Sequence, residues 1–533
     1  MAQSPPETRL PALAWPALAL GALALAAAHA RITVIAPDAA RFTFDSAEYA
    51  LAGRTWLETG RLATPFVHPA VLGLTSGPPY PLLAGHPLVP ALDALAFALA
   101  GAKPDATLAP AMLAFVACVL LVARLALELA GSRAAALGAG AAFALSPWAL
   151  GFACEGRSEM PFAALLTAAF VLLVELPQAA RPFWLGAMLG LAQLARPVAL
   201  PLLPGFGLGL WLLSPPGKRL ERGALALAGF LPLASLTAIY KWASIGNPLA
   251  DVGGYLLLTG ITPEWTVSRL NRMTPPPDAL VWIAGHPGAL AAKLGRNARS
   301  VVYGAWDTAA RWPAALAGLS SVFLLARGER RARAFAVTLI VVSAVLLLLA
   351  ATTVADPRIL FPLFPAGMAM AFAGVARLAE SWAGARRLAV VLAVSLAALI
   401  GAIPLARAWR AAASGAFARP GFRDGEWRGL CAAIEPMLPR AALVASDAAP
   451  WIAWYTRRSV TLVPLVPDAL AQWPERWRPK TVVLTNEWLV WQPREEPWRD
   501  AFRLHQPPAG YRFAGHARSG RLEAAVFDRA NEP

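Results

Sequence analysis

Residues 334–352 read AFAVTLIVVSAVLLLLAAT, 19 positions without a charged side chain, preceded by RGERRAR at 327–333. A helix rises ~1.5 Å per residue, so this stretch reaches about 28 Å, close to the ~30 Å hydrocarbon core of a bilayer. Its basic collar marks a cytoplasmic end, because Lys and Arg are retained on that side during insertion. The stretch therefore reads as one transmembrane helix whose chain enters from inside.

Ten further apolar runs read the same way: 10–30, 106–123, 134–150, 160–176, 183–195, 198–213, 224–241, 312–326, 360–376 and 388–404. Over its 533 residues the chain is 57% hydrophobic and only 15% charged, with a mean hydropathy of +0.52. Soluble domains carry about 25% charged residues. The composition excludes a soluble enzyme, a disordered chain and a collagen-like chain. The net charge of +15 suggests nucleic acid at first sight. In a membrane protein, however, basic excess reflects orientation signals and headgroup contacts, so no nucleic-acid partner is expected. The three cysteines, Cys118, Cys154 and Cys431, are too few and too scattered for a disulfide scaffold or a zinc site.

The connecting segments alternate in charge. Residues 1–9, 124–133, 177–182, 214–223, 327–333 and 377–387 hold 14 Lys and Arg in 53 residues, whereas 31–104 holds five in 74. The basic set is assigned to the cytoplasm. Ala28-His29-Ala30 imitates a signal-peptidase site, but Arg9 is offset by Glu7 and the run is long enough to span, so it reads as a retained first helix. Residues 86–100 are apolar yet reach only about 22 Å. Counting them as a span would also turn every later basic loop outward. They read as a helix in the interface or packed on the bundle. The expected architecture is a polytopic α-helical membrane protein of about 11 spans, with the N-terminus inside and the C-terminus outside. The pair 183–195 and 198–213, broken at Arg196-Pro197, is short enough to be a re-entrant hairpin.

Two domains follow: a membrane module, 1–404, with outer loops 31–105 and 242–311, and an outer tail, 405–533. The tail has 18 Lys and Arg and 13 Asp and Glu, with β-type runs at Ala441–Ser446, Ser459–Val463 and Thr481–Thr485. It reads as a small α/β domain.

Acids at an outer membrane face require a reason. The first loop supplies Phe44-Asp45-Ser46-Ala47-Glu48-Tyr49. Asp45, Glu48 and Tyr49 stand at i, i+3 and i+4, one face of a helix that Gly60 would stop. The plain reading of Asp45 is a helix N-cap. The second outer loop is Cys154-Glu155-Gly156-Arg157-Ser158-Glu159, where a cap plus a local ion pair is the plain reading. His86-Pro87 opens the 86–100 helix. Arg196 and Arg358 place cations at outer helix ends, suited to an anionic headgroup or to snorkelling. The six histidines lack metal-ligand spacing, and no phosphate-binding loop is present. Asp45 with Glu159 is the one pairing that suggests a divalent cation, and metal dependence stays open.

This layout resembles the GT-C superfamily of membrane glycosyltransferases, in particular the family-thirty-nine-like group that includes the protein O-mannosyltransferases and the lipid A aminoarabinose transferase. The resemblance covers residues 10–375 and rests on the order of short motifs: D-x-x-x-Y after the first helix, an H-P-opened helix, an acid starting the fourth helix, and the outer tail. It implies that Asp45 is the catalytic acid of the first loop, Tyr49 its following tyrosine, His86 the start of the second loop helix and Glu159 the acid of the second loop. Many members carry a second acid directly after the first, where this sequence has Ser46, and Glu159 stands where aspartate is more usual. The resemblance implies a polyprenyl-phosphate sugar donor and a lipid, glycan or protein acceptor at the outer face of a bacterial inner membrane. The residues suit that chemistry. An outer carboxylate can take the acceptor's proton, and cations can stabilise the departing phosphate in place of a general acid. Single displacement would invert the anomeric carbon. In this reading Asp45 and Glu159 are the catalytic residues, and Glu48, Tyr49, His86, Arg196 and Arg358 contact substrate. A flippase of lipid-linked glycan would instead place ionisable groups at the bilayer midplane and pair broken helices. A non-catalytic anchor for the tail domain would tolerate loss of Asp45.

Overall fold

The computed structural model describes residues 10–35, 38–39, 42–83, 86–175, 180–248, 253–261, 279–307, 311–383, 386–414, 422–464, 466–487 and 498–530. They form two compact units, each drawn from three stretches of chain: 1–32, 108–238 and 291–417 in the first, and 33–107, 239–290 and 418–533 in the second.

Every expected span falls on helix. Among the described residues six helices are long and apolar enough to cross a membrane: Ala14–Ile35, Pro104–Ala130, Pro216–Ile245, Arg330–Thr352, Pro357–Ala379 and Val390–Ala413. A seventh is made by Arg133–Ala144 with Pro147–Ala153, which meet at a bend of 59°. The bend has a local cause. Pro147 cannot donate to the preceding turn, so a new helix starts there with Ser146 as its cap, its Oγ accepting from Ala149 N at 3.4 Å. The remaining candidates, Glu159–Val174, Arg181–Ala195, Leu200–Leu213 and Ala315–Ala326, are shorter helices. Among the described residues, length and apolarity by themselves mark six or seven spans, and the other expected spans of the eleven fall on these shorter helices. The break at Arg196-Pro197 is real: Arg196 is extended (φ −152°, ψ 139°) and ends Arg181–Ala195, as the residue before a proline is driven out of the helical region. Within this unit Phe170 packs on Phe206 and Phe335 at ring distances of 4.8 and 5.3 Å, fastening the quoted helix to two of its neighbours.

The second unit is built on a six-stranded sheet, β2-β5-β4-β6-β8-β7. Its strands are β2 (Phe66–Val67), β4 (Val444–Ser446), β5 (Val460–Leu462), β6 (Thr481–Thr485), β7 (Tyr511–Ser519) and β8 (Leu522–Arg529); β1 (Ala63–Thr64) and β3 (Tyr80–Pro81) pair separately. β2, β5, β4 and β6 run parallel, and β8 and β7 add antiparallel. Residues alternate between two apolar layers: Val444 and Val483 face one, Ala445, Val482 and Leu484 the other. A sheet buried on both faces needs cover on both.

Much of that cover comes from the first loop, contrary to a tail folding by itself from residue 405. Phe42, Leu51 and Phe97 lie in one layer and Val71, Leu72 and Tyr80 in the other. β2 pairs in parallel with β5, Phe66 opposite Val460, and so occupies an edge that the tail strands leave open. Residues 405–413 belong instead to the helix Val390–Ala413 of the first unit. The 86–100 helix runs from Leu88 to Ala100 and packs on Phe44–Thr59 within this same unit. Contact is close enough that a Cβ on Gly53 would lie 2.9 Å from Asp93 Cβ.

Candidate active site

The acidic motif of the first loop is helical throughout, in Phe44–Thr59. Its N-cap is Thr43, not Asp45. Thr43 Oγ1 accepts from Ser46 N at 3.3 Å while Thr43 N donates to Ser46 Oγ at 2.8 Å, a reciprocal capping box. Ser46, standing where relatives of the resembled group carry a second acid, thus does the capping. Asp45 lies half-buried in the first turn, where the helix dipole favours a carboxylate. Gly60, at φ 69°, closes the helix as expected.

Glu48 and Tyr49 follow Asp45 on the same helix and are half-buried. Glu48 Oε2 lies 3.5 Å from Nε2 of His68, a residue the sequence reading did not single out. His68 is buried against Phe66 and Phe44, at ring distances of 4.8 and 6.0 Å. Its Nδ1 has no hydrogen-bond partner among the described residues. Further along, Arg54 bolts the helix to the tail. Its Nη1 donates to Trp454 O at 2.8 Å and its guanidinium covers the Trp454 ring at 4.4 Å. Burial lowers its pKa to about 10, so it stays charged at neutral pH. His86 is half-buried, two residues ahead of Leu88–Ala100.

Asp93, inside that helix, is the least expected group. It is fully buried, and neither carboxyl oxygen has a hydrogen-bond partner among the described residues. Burial pushes its pKa well above the ordinary carboxylate range, because apolar surroundings disfavour the charged form. Only its place on an apolar helix hinted at this, and an isolated Asp in such a helix is easily taken for an exposed one.

In the first unit the structure brings three expected residues together. Glu159, 1% exposed, begins the helix Glu159–Val174. Arg196 Nη1 lies 3.1 Å from Glu159 Oε1, and Arg358 Nη1 lies 3.8 Å from the same oxygen. Arg358 also pairs with Asp356, whose carboxylate accepts from Arg358 N at 3.0 Å. The cluster holds two cations and two anions. Each guanidinium has five N–H donors, more than these carboxylates engage. Glu155 pairs locally with Arg157 at 3.2 Å, as the plain reading of that loop expected.

Among the described residues no group of three or more His, Cys, Asp or Glu is close enough to hold a metal ion. Cys118, Cys154 and Cys431 are buried and form no disulfide among the described residues, and Cys154 Sγ donates to Ala26 O at 3.7 Å.

A family model described as dolichyl-phosphate-mannose-protein mannosyltransferase matches residues 81–242. Comparison with curated proteins gives no match. Among solved structures, ArnT from Cupriavidus metallidurans bound to undecaprenyl phosphate is similar with a TM-score of 0.52 at 13% identity, over 97% of this chain and 98% of that one. Its apo state is similar at 0.51 and 14%, with the same coverage. The oligosaccharyltransferase of Archaeoglobus fulgidus, in apo form, gives 0.52 at 14% identity, over 88% of this chain and 69% of that one. Identities this low speak to the fold alone, which this chain shares with these structures. Together with the family match they support the resemblance read from the motifs.

Proposed function

We propose that the protein transfers a sugar from a polyprenyl-phosphate-linked donor to an acceptor hydroxyl at the outer face of a bacterial inner membrane, with inversion at the anomeric carbon. The observation that carries this reading is the division of labour in the first-loop helix. Thr43 and Ser46 cap it, so the carboxylate of Asp45 is not the cap. In the mechanism the acceptor oxygen attacks the anomeric carbon as the bond from that carbon to the phosphate oxygen breaks. Asp45 takes the acceptor's proton, a general-base role worth about 10²–10⁴-fold. Arg196 and Arg358 bear the charge that collects on the departing polyprenyl phosphate. Glu159, buried between them, positions the two guanidiniums rather than exchanging a proton. Glu48, Tyr49 and His86 contact the sugar or the acceptor. The similarity to a structure holding undecaprenyl phosphate supports a polyprenyl donor.

The test is direct. Purified protein is incubated with a panel of polyprenyl-phosphate sugars and a range of lipid, glycan and peptide acceptors, and release of polyprenyl phosphate is followed. The reading expects acceptor-dependent release with at least one donor. Movement of intact lipid-linked sugar across a vesicle membrane, with no release, would replace transfer by transport.

A further inference from the structure

We propose that the second unit holds an oxyanion-binding pocket built from Arg440 and Arg458, outside the acidic motif and the arginine cluster. A cavity of about 350 Å³ is lined by Ala432, Glu435, Pro436, Leu438, Arg440 and Arg458. The two arginines precede β4 and β5, so both stand at the amino-terminal edge of the parallel strands. Arg457, in the left-handed conformation at φ 56°, caps the helix Ala449–Thr456 and turns the chain toward β5. That turn delivers Arg458 to the cavity wall.

The guanidinium of Arg458 is poorly satisfied. Its Nε is buried and has no hydrogen-bond partner among the described residues. Glu435 Oε1 stands 3.7 Å from its Nη2, within ion-pair range but too far for a hydrogen bond. A buried N–H left unpaired is costly, whereas guanidinium donors match a planar or tetrahedral oxyanion closely. Two arginines against one glutamate leave the wall with an excess of one positive charge, which suits a monoanion. The volume falls at the small end of ligand sites and admits a group about the size of a sugar. The fitting ligand is a carboxylate or phosphodiester on a small polar body: an anionic sugar unit or the headgroup of an anionic phospholipid.

The experiment uses the full chain in neutral detergent, with thermal unfolding read against glucuronate, against inorganic phosphate, and against sodium chloride at equal ionic strength. A ligand that binds only the folded state raises the midpoint saturably. The expected result is such a rise with an oxyanion, absent in Arg458→Gln and shifted to about tenfold higher concentration in Arg440→Gln. Because Arg440 is exposed, that variant decides the matter if Arg458→Gln fails to fold. A response no larger than the chloride control, or one unchanged in Arg440→Gln, would overturn the pocket. Repeating the titration in nanodiscs separates the sources. If phosphatidylglycerol suppresses the parent's response and phosphatidylcholine does not, the occupant is a headgroup; an equal response in both assigns a free anionic sugar.

Discussion

Glu159 and Arg196 meet at 3.1 Å at the junction of two helices, the first beginning at Glu159 and the second ending at Ala195. Their pairing has a sequence cause at each end. Pro197 forces Arg196 out of the helix, and Glu159 takes the helix N-terminus, where its charge is favoured. Arg358 reaches the same carboxylate from the 3₁₀ turn Pro357–Leu363.

Removing Glu159's charge tests its positioning role. Glu159→Gln leaves Arg196 without its buried counter-ion, which is expected to lower stability by up to ~3 kcal/mol. Donor KM should rise as well, with a smaller change in kcat. Arg358→Ala should weaken donor binding more than it lowers the melting temperature, since a guanidinium–phosphate contact is charge-assisted. Donor titrations and thermal unfolding on both variants check this. If Arg358→Ala binds donor as the parent does and only melts earlier, Arg358 is a structural anchor.

Asp45→Asn keeps the size of the side chain and removes the proton acceptor. Because the capping box lies in Thr43 and Ser46, the helix should persist and the protein should insert and bind donor normally. Transfer is expected to fall by at least about 10²-fold, measured as initial rate at saturating donor. Parent-like turnover would remove Asp45 from the mechanism and leave Glu48 to be tried next.

Asp93 predicts a pH dependence of stability. Its pKa in the folded protein lies well above the ordinary value of 3.8. Above 3.8 the unfolded chain releases a proton that the folded chain keeps. The stability this group permits is therefore complete below the ordinary value and is lost as pH rises toward the folded value, by ~1.4 kcal/mol per pH unit at most. Asp93→Asn should flatten that slope and be the more stable protein at pH 7. Denaturant unfolding of parent and variant from pH 4 to 8 measures it. Identical slopes would show that Asp93 is not titrating in this way.

Orientation is tested by reporter fusions. Those after Arg222, Arg331 and Arg387 are expected to be cytoplasmic, and those at Gly260 and Gly425 external. The positions flank the basic segments and the two long polar ones. A cytoplasmic Gly425 fusion would reverse the parity of spans and withdraw the proposed outward-facing chemistry.

How much of this could be read in advance differs from residue to residue. The helix carrying Asp45, Glu48 and Tyr49 was legible because spacing and the Gly60 stop are local properties. Its cap was not, since Thr43 and Ser46 look like ordinary loop residues until the chain turns. β6 was legible to the residue as Thr481–Thr485, a β-branched run between breakers. The hairpin of β7 and β8 was missed, because β7 has one exposed face, several charges and a register shift between Phe513 and Gly515. His68 and Asp93 became notable only through burial, a property the sequence does not display.

Hydropathy and charge along the chain are enough to mark a helical membrane protein with a polar tail and to order its charged segments. Hydrophobic length and charge placement act through the solvent, water or lipid, and need no partner elsewhere in the chain. Which distant segments complete one another emerges only in the folded chain. β2 fills an edge opposite Val460, and Arg54 meets Trp454 four hundred residues away. Glu159 likewise lies beside Arg196 and Arg358. Such pairings depend on which open edge or buried charge lacks a partner, and that is defined only once the remaining chain has folded around it.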